Sequence, residues 1–246
     1  MQEEYFDSQR PAGEVAEFFR SLGRFNRLFD FAEPFRKVLP ALLGEAQCRS
    51  LMILDIGAGD GSLGRSVRRW AAGRGWDWRV VNADFSLAAL TLNEGGLNVV
   101  GSATRLPFRT GSFDVVLASQ MAHHLTDAGA TQLLRESWRV ARQAVVLSDL
   151  HRNLGLYLVL WLLLSFQDHS KSFRSDALLS VKRGWRIGEL ARLAQEAGLC
   201  GATVKLRFGA RVLLQALRLD RREGHRAAMY SSACSRRNES SRGLIG

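Results

Sequence analysis

The sequence predicts an α/β fold built on a doubly wound, mostly parallel sheet. Three observations predict it. Short apolar runs alternate with amphipathic stretches between residues 51 and 148; the first run ends in a glycine-rich turn; two later runs are separated by only Gly209 and Ala210. The balance is that of a globular chain: 246 residues, 46% apolar and 24% charged. Such a length suits one domain with a small lid.

Each element has its own signal. Val15, Phe18, Phe19 and Leu22 fall at i, i+3, i+4 and i+7, which predicts an amphipathic helix; an aromatic-rich segment follows, and Pro34 suits the start of a second helix reaching Leu43. Residues 51–56 are a continuous apolar run, as expected of a strand buried on both faces. A helix is expected over 63–72, closed by Gly73 and Gly75. Strands are expected over 78–84, 97–101, 113–119 and 144–148, with helices over 86–93, capped by Ser86, and over 131–141. Beyond them lie an apolar helix over 153–165, a polar and basic stretch over 167–184, and an amphipathic helix from Ile187 stopped by Gly198. Strands over 203–208 and 211–217 form a closing antiparallel hairpin, making seven strands.

This divides the chain into an N-terminal helical lid (1–45), a main domain (46–220) with an apolar and basic insertion (151–184), and a disordered basic tail (221–246). The tail carries six Arg against two Glu, +4 of the net +10. The remaining charge is spread thinly, which argues against a nucleic-acid partner. The longest apolar run, Leu154 to Phe166, has 13 residues. A bilayer span needs about 20, so no transmembrane helix is expected, although peripheral membrane contact stays open. Three scattered cysteines give no disulfide framework and no Cys/His metal spacing, so no metal is expected. The acidic, polar start has no secretory signal, and a cytoplasmic protein is expected.

The sharpest motif is LDIGAGDG over 54–61. Gly57, Gly59 and Gly61 follow a strand and precede a helix, where they permit a tight turn and close approach of a ligand. Gly59 to Gly64 also satisfies the dinucleotide pattern GxGxxG, and the glycines can equally serve the turn alone. Charge favours one ligand. Asp55 and Asp60 would stand near the pyrophosphate of a dinucleotide, whereas S-adenosylmethionine (SAM) carries an ammonium and a sulfonium that suit carboxylates. Asp84, ending the second strand, suits the ribose hydroxyls of either cofactor.

The series LDIGAGDG (54–61), NADFS (82–86), GSATRLPF (101–108), FDVVLAS (113–119), HHL (123–125) and LLRESWRVAR (133–142) resembles the class I SAM-dependent methyltransferases, which have a Rossmann-like fold. The resemblance is strong over residues 50–150 and weaker over 186–218. It implies that Asp55, Gly57, Ala58 and Gly59 hold the methionine part of the cofactor and Asp84 the ribose. Phe85, Ser102 and Ala103 would meet the adenine, and Ser119 and Gln120 would lie beside the sulfonium. Two positions depart from the pattern. Ser102 stands where many relatives have Asp, and Arg142-Gln-Ala144 replaces a Lys-Pro-Gly-Gly turn.

Transfer to a phenol or enol needs a base, and histidine titrates near neutrality. His124 and His151 each follow a strand at the ligand-binding edge and are the candidate bases. Packing roles for the histidines, with catalysis by alignment alone, stay open. The aromatic N-terminal segment and the apolar insertion suit a lipophilic acceptor as well as core packing. The segment from Asp149 to Leu199 resembles, more loosely, bacterial methyltransferases of polyketide-derived phenols and related lipids. The expected reaction is O-methylation of such a compound. The alternatives are C-methylation of a quinone precursor, as in ubiquinone/menaquinone methyltransferases, and a SAM-binding partner protein without activity.

Overall fold

The computed structural model describes residues 12–165, 171–207 and 210–218; the expected polar start and basic tail lie outside them, as do the side chains of residues 12, 21, 24–29, 163, 165 and 171–173. Two helices, α1 (Ala12–Phe29) and α2 (Glu33–Leu43), precede the sheet. The elements β1 (Ser50–Ile56), α3 (Ser62–Ala72), β2 (Asp77–Asp84), α4 (Leu87–Leu90), β3 (Leu97–Val100), β4 (Phe113–Ser119), α5 (Asp127–Val140) and β5 (Ala141–Leu150) then follow in turn. Next come α6 (Leu154–Ser165), α7 (Lys171–Arg183), α8 (Ile187–Glu196), β6 (Thr203–Arg207) and β7 (Arg211–Leu217).

The sheet has seven strands in the order β3-β2-β1-β4-β5-β7-β6. Strands β1 to β5 pair in parallel, and β7 runs antiparallel to both β5 and β6. The Rossmann-like doubly wound fold and its closing hairpin are as expected. Side-chain alternation explains why the strands read as unbroken apolar runs. Val116 and Ala118 of β4 face a core with Leu133 and Leu134 of α5 and Leu190 and Leu193 of α8. Val115 and Leu117 face the opposite core, with Phe35 and Leu39 of α2 and Leu63 and Val67 of α3. At the strand order's reversal, β1 lies between β2 and β4, and the carboxyl ends there border an open crevice.

Several boundaries differ from expectation. Helix α4 stops after one turn, because Asn93 turns inward, donating to Asn98 Oδ1 (2.8 Å) and accepting from Arg65 (2.8 Å). Helix α5 starts four residues earlier than 131, at Asp127, where Thr126 caps it by accepting from Gly129 N–H (3.2 Å). Strand β5 begins at Ala141 immediately after α5, so Arg142-Gln-Ala144 is strand and no turn stands in place of the missing Lys-Pro-Gly-Gly. The stretch read only as polar and basic contains α7, whose Leu178 and Val181 pack against α6.

Candidate active site

A cleft of about 450 Å³ opens at the carboxyl ends of β1, β2 and β4. All ten residues expected to bind cofactor line it: Asp55, Gly57, Ala58, Gly59, Asp84, Phe85, Ser102, Ala103, Ser119 and Gln120. Phe18, Phe19 and Leu22 of α1 and Asp176, Ala177 and Ser180 of α7 border it as well. Of the two expected bases, His124 lines the cleft and His151 does not. The His151 backbone is fixed by Ala210 (2.9 Å), and its ring Nδ1 lies 3.0 Å from the Asn153 amide.

The glycine turn is built as its sequence requires. Gly57 and Gly59 have φ of +67° and +55°, a region that disfavours side chains. Gly57 N–H donates to Ala83 O (2.8 Å), which ties the turn to the end of β2. A Cβ on Gly59 would stand 2.6 Å from Phe19 Cε1, so α1 lies directly over the loop.

Asp84 uses both carboxylate oxygens to organise the crevice. Oδ2 accepts from Gly59 N–H (2.9 Å) and Oδ1 from Ser86 N–H (2.8 Å). The Phe85 N–H also acts on the Asp84 carboxylate, whose remaining acceptor capacity suits a ligand hydroxyl. Burial pushes its carboxyl above the ordinary range, against the opposing pull of those N–H groups. Asp60 is neutralised by Arg65 (3.2 Å) and accepts from Ser62 N–H (3.0 Å). Asp55 is different. It is fully buried, and its Oδ2 has no hydrogen-bond partner within the protein. Burial, with the charges of Asp84 and Asp60, pushes its carboxyl up to about 8. Charge therefore disfavours an anionic ligand less than the sequence suggests, because Asp60 is paired with Arg65 and burial disfavours the charged form of Asp55.

The other walls are mixed. Phe85 is 63% exposed, presenting an aromatic face to the cleft. Ser102 Oγ lies 2.9 Å from Thr104 Oγ1 and accepts from Thr104 N–H (3.3 Å), so the hydroxyl standing where relatives have Asp is engaged locally. Ser119 Oγ is buried without a partner in the protein. Gln120 has φ +52°, a strained backbone for a non-glycine residue, and is anchored by its N–H to Ser148 O (2.9 Å).

The sequence reading missed a buried couple at this wall. His123 Nδ1 lies 2.6 Å from Asp149 Oδ1, and Asp149 Oδ2 accepts the His123 backbone N–H (3.0 Å). Burial raises the Asp149 carboxyl, but attraction to His123 and hydrogen bonds from His123 and Leu150 outweigh it, leaving Asp149 below the ordinary range. The His124 ring lies against that of His123, with centroids 4.3 Å apart. The available signal was a carboxylate inside the apolar run of β5, beside the strand that leads to HHL.

A family model for the methyltransferase domain matches residues 54–148, the segment holding the glycine turn, Asp84, Gln120 and His123. This segment is a class I SAM-dependent methyltransferase domain. Its cofactor is SAM. The cleft fits that group: Asp84 lines it at the end of β2 with acceptor oxygens, and the buried, unpartnered Asp55 oxygen suits its cationic end. No curated protein matches the chain. Among solved structures, the methyltransferase domain and its flanking elements resemble magnesium protoporphyrin IX methyltransferase of Synechocystis PCC 6803 with bound S-adenosylhomocysteine. That structure is 17% identical, with a TM-score of 0.53 and coverage of 85% of this chain and 100% of that one. The plantazolicin methyltransferase is 13% identical, with a TM-score of 0.63 and coverage of 84% and 90%. A candidate O-methyltransferase of Nostoc punctiforme PCC 73102 is 17% identical, with a TM-score of 0.54; 76% of this chain spans 56% of that longer one.

Proposed function

We propose that the chain methylates a hydroxyl of a small, lipophilic acceptor of phenolic or polyketide-derived type. The observation that carries this reading is the buried His123–Asp149 couple at the wall of a cleft whose apolar lining includes Phe18, Phe19, Leu22, Phe31, Met121 and Leu125. Apolar walls take a lipophilic body, and polar groups fix its orientation.

When bound, SAM supplies a methyl carbon activated by its sulfonium. The chain's residues do the rest. Asp55, Gly57, Ala58 and Gly59 would hold the methionine end, and Asp84 would accept from the ribose hydroxyls. Phe85, Ser102 and Ala103 would border the adenine, and Ser119 and Gln120 would stand beside the sulfonium. Asp149 accepts from His123 Nδ1–H, which fixes the tautomer and directs proton uptake to Nε2, and His123 removes the acceptor's hydroxyl proton. This role falls to His123 rather than to the two histidines expected from the sequence; His124 packs on it, and His151 stands outside the lining. Helices α1 and α7, at the cleft rim, act as the lid that excludes water.

The test is incubation with methyl-labelled SAM and a panel of alkylated phenols and pyrones, followed by treatment of the product with an ether-cleaving acid. Release of the label supports the hydroxyl acceptor. Retention of the label assigns C-methylation instead. Binding of S-adenosylhomocysteine without transfer to any acceptor would make the chain a cofactor-binding partner.

A further inference from the structure

Among the described residues, helix α6 packs one apolar face inward and leaves a second largely exposed. Leu160 and Leu164 are buried, and Leu156 packs beside them against α7. These residues recur every four positions and define the inner face. Turning half-way round the helix brings up Leu154, Leu158, Val159, Trp161 and Leu162, each at least 50% exposed. A water-facing stripe of a surface helix is normally polar. Here no residue between Leu154 and Ser165 carries a charge.

The described surroundings of this face are net positive. Helix α7, packed against α6, carries Arg174, Lys182 and Arg183 against Asp176. Lys182 Nζ sits 5.2 Å from the centre of the Tyr157 ring of α6, and the exposed Arg186 follows α7. The nearby Glu189 is paired with Arg152. A protein partner for such a face would have to be apolar and acidic together; an anionic lipid bilayer is both, with acyl chains beneath negative headgroups. The 12 residues of α6 extend about 18 Å, too short to cross a bilayer but long enough to lie in its interface.

We infer that α6 is a membrane-docking helix, which seats the outer row from Leu154 to Leu162 in the interface of an anionic bilayer with the α7 cations against the headgroups. The inner face of α6 holds α7, whose Asp176, Ala177 and Ser180 line the cleft, so docking brings the lid of the active site to the lipid surface. This surface stands apart from the choice of methyl acceptor, and its test needs no turnover.

The experiment is co-sedimentation of the full chain with vesicles of phosphatidylcholine, with and without about one-third phosphatidylglycerol, together with light scattering in the absence of lipid. We expect binding to the anionic vesicles, weakened at least tenfold by Leu158→Glu/Leu162→Glu while S-adenosylhomocysteine binding persists. Brominated acyl chains should quench part of the tryptophan fluorescence, and Trp161→Phe should remove that part. No sedimentation with either vesicle would overturn the inference. So would binding that salt abolishes but the double variant leaves intact, which would assign it to charge elsewhere in the chain. A dimer in light scattering that the double variant dissolves, without vesicle binding, would make the occupant a second copy of this chain.

Discussion

His123, in the turn that follows β4, and Asp149, near the end of the neighbouring β5, meet through a 2.6 Å contact between Nδ1 and Oδ1, with both side chains buried. Ser119 at the end of β4 pairs with Ser148 of β5, so the residues just beyond them are brought together by register alone. Replacing Asp149 with Asn keeps the shape but reverses the hydrogen-bond role, forcing His123 towards the other tautomer. We predict a loss of about 10²- to 10⁴-fold in kcat with little change in cofactor affinity. Unchanged kcat and an unchanged pH–rate profile would remove the couple from catalysis.

The same carboxyl shapes acid stability. Asp149 lies below the ordinary range in the folded chain, so it contributes stability that is present above its unfolded value of about 3.9 and is lost as pH falls through the lowered native value. Asp149→Asn should flatten that acid limb. Urea titrations from neutral to acid pH would measure it, and parallel curves for the two proteins would contradict the assignment.

Asp55 works in the opposite direction. Its native value of about 8 lies above the ordinary 3.8, so its contribution is full below 3.8 and disappears as pH rises through about 8. Asp55→Asn should therefore raise the melting temperature relative to the parent at alkaline pH, and less so in acid. Cofactor affinity should show the reverse cost. A cation beside Asp55 favours the carboxylate, so below pH 8 SAM binding expels a proton and strengthens as pH rises, by up to about tenfold per unit. Calorimetry in buffers of different ionisation enthalpy reads that proton directly, and its absence would leave Asp55 out of the cofactor site.

Gly59→Ala tests the turn and its cover together. The left-handed backbone should cost about 1–2 kcal/mol, and the new methyl collides with the Phe19 ring. The pair Gly59→Ala/Phe19→Ala removes the collision but not the backbone strain. It should therefore recover part of the folding stability in denaturant titration, while S-adenosylhomocysteine binding stays at least about tenfold weaker than in the parent. Full recovery of binding would show that only the aromatic cover mattered.

What the sequence made legible follows from what local signals encode. Strands β1 and β4 are buried on both faces, so their apolar runs announced them, and the glycines of 57–61 marked the turn because only such residues hold its backbone. That ten residues would line one cleft was legible for the same reason: they belong to short contiguous motifs. The His123–Asp149 couple was not, since it joins residues 26 apart through sheet register. Helix α7 was hidden because its apolar positions are few and gain meaning only against α6. Helix α5 began earlier than expected because Gly129 reads as loop, while the Thr126 cap uses its N–H to start the helix.

Gln120 offers the last test, because its strain can be relieved. At φ +52° a non-glycine side chain costs about 1–2 kcal/mol, while a glycine there gains freedom in the unfolded chain worth about 0.5–1 kcal/mol. Gln120→Gly should thus leave stability unchanged or raise it by up to about 1 kcal/mol, and Gln120→Val should lower it by more than that. If the strain is held because the side chain serves the cleft, the glycine variant should lose at least about tenfold in kcat/KM despite its equal stability. Equal stability with full activity would mean that the turn at the end of β4 needs the backbone conformation alone, supplied by the Ser148 carbonyl that holds Gln120 N–H.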